Sequence, residues 1–293
     1  MAPRRVPAIP LLVVAIASVQ GGASLAKELF PGLGPSGASG VRLVFASLAL
    51  LVAFRPRLWR YGAREWKAIV PYGIALGGMN LSFYEALARI PLGLAVTLEF
   101  VGPLGVALFG SRRPADFAWV LLAGTGIALI APWEGSAAAL DPWGVALALF
   151  AGGCWAGYIL AGGRVSRVLT EGESVTAGMI VATLVVLPFA LADGVVARAT
   201  PSLLGFGAVV ALLSSALPYT LEMFALKALP SRTFGILMSL EPAVAALAGL
   251  VFLHERLAPP QWLAVACVCA ASAGAALTSR AQSTPTEPAP APP

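Results

Sequence analysis

Two acidic side chains lie inside apolar stretches of the sequence, and each is close to a proline. Glu241 comes directly before Pro242 in LMSLEPAVAALAG, and Glu99 lies shortly before Pro103 in VTLEFVGPLG. A carboxyl group in such surroundings needs a partner, which can be a proton, a basic side chain or the ammonium group of a ligand. A proline inside a helix leaves the carbonyl four residues earlier without its usual hydrogen bond. These carbonyls belong to Glu99 and Met238, so both stretches are predicted to be interrupted helices with unpaired polar groups.

Other polar and aromatic residues in apolar stretches could complete a binding site around these carboxyl groups. Arg42 lies at a depth similar to that of Glu99 if both stretches are membrane helices, so the two can pair. We expect Glu99 or Glu241 to alternate between protonated and ionised states, and Arg42 to bind a ligand carboxylate. The further lining candidates are Asn80, Tyr84, Tyr158 and Tyr219, with Trp155 and Phe234 as aromatic residues that shape the pocket.

The charged residues also have purely structural interpretations. Glu241 could hold its helix against a neighbour through hydrogen bonds, and Glu99 could form a static ion pair with Arg42. Two further acidic residues precede a basic residue by about one helical turn, which favours a local ion pair as much as a transport role. These pairs are Glu85 with Arg89 and Glu222 with Lys227.

The sequence lacks the residue sets of enzymes and metal sites. Its single histidine is His254, and its 3 cysteines lie in apolar stretches without the spacing of a zinc site or a disulfide framework. GLGPSG at 32–37 matches a dinucleotide-binding pattern, but an apolar helix precedes it instead of a strand, so we interpret it as a loop. We therefore predict no enzymatic activity, no metal and no cofactor.

The elements that must position the candidate residues are membrane helices. Hydrophobic residues make up 58% of the 293 residues and charged residues 11%, which is typical of a chain that lies in lipid. Ten apolar segments have roughly the 20 residues that a helix needs to cross a bilayer, so the fold class is an all-α membrane protein. These segments cover about 8–26, 37–54, 68–88, 92–110, 117–132, 143–162, 174–192, 202–224, 232–253 and 261–279.

The fourth and ninth of these segments form an internal repeat. ALARIPLGLAVTLEFVGPLGVALFG aligns with ALKALPSRTFGILMSLEPAVAALAG, so that Pro103 corresponds to Pro242. The acidic residues do not coincide, since Glu241 corresponds to Gly102. The prolines therefore belong to both halves of the repeat, whereas the carboxylate of Glu241 belongs to one.

Five helices per repeat is an odd number, so the two halves have opposite orientations, as in many secondary transporters. We predict one five-helix repeat over residues 1–140 and a second over 141–280, followed by a disordered cytoplasmic tail at 281–293. Most of the 19 Lys and Arg residues fall on one side of this arrangement. Because basic residues favour the cytoplasmic side, both termini are predicted to be cytoplasmic. These loops account for the net charge of +5, so no nucleic-acid partner is expected.

Several stretches resemble the EamA family of the drug/metabolite transporter superfamily, and most of all its threonine/homoserine exporter group. They lie at 40–51, 80–120, 154–167 and 220–263, and include EFVGPLGVALFGSRRPADF, LEMFALKALPSRTFG and EPAVAALAG with HERL. The resemblance covers nearly all of residues 9–279. It implies ten transmembrane helices in two tandem repeats, the bacterial inner membrane, and efflux driven by the proton gradient.

Together, the residues and the resemblance predict an inner-membrane secondary transporter that exports small amino acids, such as threonine or homoserine, by proton antiport. The alternatives are an exporter of another small metabolite or drug and, more distantly, a channel. Single asymmetric carboxylates argue against a channel, whose pore should carry rings of like charge. The expected partners are the amino acid, protons and the lipid bilayer. Helix-packing patterns are alike within one bundle and between subunits, so the sequence predicts no oligomeric state.

Overall fold

The computed structural model describes residues 8–109, 114–130, 140–229 and 231–278, and this part of the chain is helical with no strand. The predicted tail at 281–293 lies outside the described residues. Short connections join the helices, and a π-helical turn at Leu212–Ala216 joins α10 to α11. The helices are α1 (Ala8–Lys27), α2 (Phe30–Phe54), α3 (Ala63–Leu87), α4 (Leu92–Glu99), α5 (Val101–Phe109), α6 (Pro114–Ile130), α7 (Pro142–Val165), α8 (Glu171–Ala192), α9 (Val195–Arg198), α10 (Pro201–Ala211), α11 (Leu217–Ala228), α12 (Ser231–Met238), α13 (Glu241–Phe252) and α14 (Pro259–Thr278).

The helices present apolar side chains on the outside of the bundle. Val52 is 70% exposed and Leu121 is 71% exposed, whereas the charged side chains of Arg42, Glu99 and Glu241 are buried. Six helices of the described part are long and apolar enough to cross a membrane. They are Ala8–Lys27, Phe30–Phe54, Pro142–Val165, Glu171–Ala192, Thr233–Phe252 and Pro259–Thr278. The span Thr233–Phe252 takes in most of α12 and all of α13. The all-α class predicted from the sequence is therefore confirmed, and the surface suits lipid as its solvent.

The G-x-G-x-x-G match at 32–37 is not the loop that the sequence predicted. It lies within α2, which begins at Phe30 and continues through this stretch. Gly34 interrupts the helix with φ 73° and ψ 166°, backbone angles that a residue with a Cβ rarely adopts. The stretch is thus a kink at the start of a membrane helix.

Both stretches that carry a proline after an apolar run are interrupted. α4 ends at Glu99 and α5 begins at Val101, with Phe100 between them and Pro103 in the first turn of α5. α12 gives way to α13 at Ser239 and Leu240, with Pro242 in the first turn of α13. Each break lies where a proline withholds the hydrogen bond that would continue the helix.

The break between α4 and α5 lies directly against α7. A Cβ atom added to Gly102 would lie 1.8 Å from the backbone oxygen of Gly152, and one added to Gly152 would lie 2.6 Å from the backbone oxygen of Glu99. The two glycines therefore allow the backbones of α5 and α7 to touch. This contact fixes the position of the helix end that carries Glu99.

A carboxylate from the C-terminal half fixes the other end of α4. Glu255, between α13 and α14, has its Oε1 atom 2.6 Å from Nζ of Lys27 at the end of α1. Its Oε2 atom accepts a hydrogen bond of 2.8 Å from the backbone N–H of Leu92, the first residue of α4. Because the first N–H groups of a helix lack partners within the helix, a carboxylate at this position stabilises α4.

The glycine contact leads to a prediction about folding. Gly102→Ala should destabilise the protein by about 1–3 kcal/mol, because the added methyl group forces the backbones of α5 and α7 apart. The midpoint of thermal unfolding in detergent measures this effect. Gly153→Ala is the matched control, since a Cβ at that position meets nothing within 4 Å. Equal unfolding temperatures for the two variants would contradict the proposed tight crossing.

Candidate functional site

A cavity of about 310 Å³ lies between helices from the N-terminal and C-terminal halves of the chain. Its walls come from α1–α4, α7, the π-helical turn and α11–α13. Sites for small molecules start at roughly this volume. The cavity therefore has the size of a compact metabolite and is built by both halves of the chain.

The cavity brings together most of the candidate residues named from the sequence. Its lining includes Arg42, Asn80, Glu99, Trp155, Tyr158, Phe234 and Glu241. Two of the candidate residues are not among the lining residues. Tyr84 is buried next to Arg42 but is not part of the lining. Tyr219 lies in α11, and its side chain is outside the described part of the structure.

The side chain of Arg42 is held from two sides. Its guanidinium carbon lies 5.0 Å from the centre of the Tyr84 ring, which is cation–π geometry. Its Nη1 atom donates to Oγ of Ser214 and Oγ of Ser215 at 3.4 and 3.3 Å. Its Nε atom is buried and has no hydrogen-bond partner in the described structure. Tyr84 and the two serines thus orient a guanidinium that keeps free donor capacity at the cavity.

Arg42 and Glu99 do not form the ion pair that their depth in the sequence suggested. Among the described residues, the ion pairs within 4.0 Å do not include these two. The π-helical turn places Ser214 and Ser215 where they bind the guanidinium, and Glu99 lines the same cavity separately. Opposite charges that share a cavity without touching leave room for a ligand between them.

Three carboxyl groups line the cavity: those of Glu99, Glu222 and Glu241. Glu99 is the last residue of α4, where the helix dipole presents partial negative charge, and Glu241 is the first residue of α13, where it presents partial positive charge. Oε2 of Glu241 is buried without a hydrogen-bond partner in the described structure. No group of three His, Cys, Asp or Glu residues in the described ranges is arranged to hold a metal ion.

Glu222 was not among the candidates named from the sequence. The sequence allowed it to pair locally with Lys227, whose side chain lies outside the described part of the structure. Glu222 instead lines the cavity. It lies in α11 one helical turn after Pro218, which also lines the cavity. The spacing to Lys227 alone gave no sign of this position.

Gln20 is another polar lining residue that the sequence analysis did not name. It lies in α1 between apolar neighbours, is 3% exposed, and its Oε1 atom has no hydrogen-bond partner in the described structure. The available signal was a lone amide inside the first apolar segment. Glu85, by contrast, forms the local ion pair that its spacing suggested, with Oε2 2.9 Å from Nη1 of Arg89.

Aromatic side chains stiffen one wall of the cavity. Tyr158 of α7 stacks on Tyr72 of α3 with ring centres 4.6 Å apart, and the two hydroxyl groups lie 3.0 Å apart. Trp155 meets Phe100 edge to face at 5.4 Å, next to the break between α4 and α5. Paired rings of this kind restrict side-chain movement, so the wall keeps its shape.

Known proteins match the chain over almost its full length. Threonine/homoserine exporter RhtA of Escherichia coli K12 is 47% identical over 276 residues, which covers 94% of this chain and 93% of that protein. RhtA of Salmonella typhimurium LT2 is 45% identical over 280 residues, covering 94% and 95%. YwfM of Bacillus subtilis 168, an uncharacterized transporter, is 24% identical over 246 residues, covering 83% and 75%.

A solved crystal structure with 20% sequence identity has the same overall fold, with a TM-score of 0.58 over 92% of this chain and 96% of that chain. Residues 142–277 match the EamA-like transporter family. The apolar helices and the transporter relatives make this chain a multi-pass membrane transporter and not an enzyme. The family expected from the sequence is thereby confirmed: the chain belongs to the EamA-like transporter family.

Proposed function

We propose that the protein is an inner-membrane secondary transporter that exports small amino acids, such as threonine or homoserine, by proton antiport. The observation that carries this proposal is the separation of Arg42 from the three carboxyl groups within one cavity. A free amino acid carries one negative and one positive group a short distance apart. The names of the relatives that share nearly half of the sequence support the same substrate class.

The charged ends of an amino acid match the two sides of the cavity. Arg42 receives the substrate carboxylate, because its guanidinium is fixed by Tyr84 and its Nε atom is unpaired. The substrate ammonium group lies among the carboxyl groups on the opposite side. Glu99, at the negative end of the α4 dipole, adds attraction for a cation.

Proton coupling rests on the cost of a buried carboxylate. Oε2 of Glu241 has no partner in the described structure, and an ionised carboxylate without a partner is unfavourable in an apolar site. The carboxyl group is therefore occupied by a proton or by the substrate ammonium group, and the two exclude each other. Release of one upon binding of the other on opposite sides of the membrane is antiport. Glu99 or Glu241 serves as this exchange site.

The architecture that goes with this function has ten transmembrane helices in two inverted repeats, residues 1–140 and 141–280. Both termini, including the tail at 281–293, face the cytoplasm. The support is the pair of helix breaks, one in each half, which meet at the cavity. Broken helices at the interface of inverted repeats are the usual site of secondary transporters.

The first prediction concerns Arg42. In proteoliposomes, Arg42→Gln should reduce threonine counterflow about 10-fold or more, because a charge-assisted hydrogen bond worth roughly 1.5–3 kcal/mol is lost. Threoninol, which keeps the ammonium group but has no carboxylate, should lose much less. Arg89→Gln, at the local surface pair, is the control and should stay within about twofold of wild type. Equal losses for threonine and threoninol would assign Arg42 a structural role.

The second prediction separates exchange from proton coupling. If Glu241 is the coupling group, Glu241→Gln loses efflux driven by a pH gradient, since an amide cannot release a proton. Threonine counterflow persists, because Glu99 and Glu222 in the same cavity still bind the substrate ammonium group. Glu99→Gln, measured in the same way, assigns the role to one of the two carboxyl groups. Glu85→Gln serves as the surface control. Proton-driven efflux at the wild-type rate in both cavity variants would rule out this coupling scheme.

The third prediction tests how Arg42 is positioned. Tyr84→Phe keeps the ring below the guanidinium and removes a hydroxyl group that is buried without a partner in the described structure, so transport should be unchanged. Tyr84→Leu removes the cation–π contact, worth roughly 0.5–2 kcal/mol, and should raise the KM for threonine by about 2- to 30-fold. Similar KM values for the two variants would remove Tyr84 from the positioning of Arg42.

Wild-type transport itself decides between substrate classes. Counterflow of labelled threonine or homoserine supports the amino-acid assignment. Counterflow only with an unrelated metabolite or drug replaces it with the alternative exporter. Flux that neither saturates nor shows counterflow identifies a channel.

A further inference from the structure

Gln20 is a buried amide that the structure leaves without a partner. It belongs to α1 and lines the cavity beside the apolar side chains of Val19 and Ala23. Only 3% of its surface is exposed, and no described residue forms a hydrogen bond with its side chain, whose Oε1 atom is fully enclosed. A partner for this group must therefore come from within the cavity.

A buried amide without a partner has a free-energy cost that a ligand in the cavity would remove. A buried polar group without a hydrogen bond costs roughly 1–3 kcal/mol, and an apolar side chain of the same size would avoid that cost. The other lining amide differs, because Nδ2 of Asn80 donates to the backbone oxygen of Leu76 at 2.7 Å. Among the two amides of the lining, Gln20 is thus the one whose side chain forms no hydrogen bond with the described residues.

The position of α1 places Gln20 in the same site as Arg42. α1 packs directly on the π-helical turn that holds the guanidinium: Oγ of Ser18 donates to the backbone oxygen of Leu213 at 2.6 Å. A Cβ atom added to Gly22 would lie 2.8 Å from Cβ of Ser214, one of the two serines bound to Arg42. Gln20 lies on a different face of α1 from Ser18 and Gly22, and this face lines the cavity together with Arg42. A ligand bound to Arg42 therefore occupies a cavity that α1 also lines.

From this arrangement we infer that Gln20 binds the side-chain hydroxyl group of the substrate and makes the transporter selective for hydroxylated amino acids. The inference rests on the proposed function, in which Arg42 and the carboxyl groups bind the charged ends of the amino acid. A hydroxyl group donates to the amide oxygen and accepts from the amide nitrogen, so one amide satisfies it fully. Val19 and Ala23, which line the cavity beside Gln20, have no polar side-chain atom that could bind the hydroxyl group instead.

Valine provides the sharpest comparison because it replaces the threonine hydroxyl group with a methyl group of similar size. A purely apolar pocket discriminates weakly between two such molecules, whereas a site that bonds the hydroxyl group rejects the analogue that lacks it. Binding of valine would leave the Gln20 amide buried and unpaired. Wild-type protein should therefore prefer threonine to valine by roughly 10-fold or more in kcat/KM, which corresponds to one such unpaired group.

The test is Gln20→Leu in the full-length protein reconstituted into proteoliposomes, with labelled threonine and labelled valine measured separately. The ratio of their kcat/KM values should fall to within about threefold of one, because threonine transport drops while valine transport persists. Gln20→Met, with an unbranched side chain of similar length, should give the same ratio if the leucine variant folds poorly. A threonine-to-valine ratio equal to that of wild type in either folded variant overturns the inference.

Gln261→Leu is the matched control. Gln261 is also buried, at 6% exposure, but it lies at the start of α14, outside the cavity lining, and its Oε1 atom accepts a hydrogen bond from the backbone N–H of Ala258. Its substitution should leave the selectivity ratio at the wild-type value. Wild-type protein that transports both amino acids equally well overturns the role of Gln20 while amino-acid export stands. Wild-type protein that transports neither of them, and not homoserine either, overturns the proposed function itself.

Discussion

Hydrogen-bonding groups buried among apolar helices have no water to bind, so each needs a partner from the protein or from a ligand. The chain itself supplies many of these partners: Glu255, for example, accepts a hydrogen bond from the N–H group at the start of α4. At the cavity, three side chains have an atom for which it supplies none. Side-chain atoms of Gln20, Arg42 and Glu241 are buried there without partners in the described structure. Three such atoms at one cavity support the proposed ligand, which carries both signs of charge and a polar side chain.

The constraint also explains why the helices break where they do. Each proline removes one backbone hydrogen bond, and the break places a glutamate at a helix end: Glu99 at the end of α4 and Glu241 at the start of α13. The end of α4 carries partial negative charge and the start of α13 carries partial positive charge, so the two carboxyl groups lie in different electrostatic surroundings. Arg42 comes from the N-terminal half but is oriented by serines of the C-terminal half. A ligand between these groups contacts both halves, so relative movement of the halves would change its surroundings.

Much of this site could be predicted from the sequence, because a charge or a proline in an apolar helix is a strong local signal. Arg42, Glu99 and Glu241 were found in this way, and the structure places all three around one cavity. The partners of Arg42 could not be predicted. Ideal helical rise predicts that Arg42 and Glu99 lie at similar depth and can pair. The guanidinium instead donates to the two serines of the π-helical turn, which the sequence does not reveal. Glu222, for which the sequence suggested a local pair with Lys227, also lines the cavity. Gln20 carries no charge, and a single amide in an apolar segment stands out only when its surroundings are known.

The close crossing of α5 and α7 accounts for the asymmetry between the proposed repeats. When the sequences of the two proposed repeats are aligned, Glu241 corresponds to Gly102. Any side chain at Gly102 would collide with the backbone of Gly152. The first half therefore has no room for a carboxylate at this position, and its acidic residue lies instead at Glu99, on the far side of the break. One steric contact would thus give the two proposed repeats different sets of charges.

In the proposed function these charges select the class of substrate, since every amino acid carries the same ammonium and carboxylate groups. Selection within the class falls to neutral lining residues such as Gln20, so a change at such a residue can alter the preferred side chain while the charged framework stays intact.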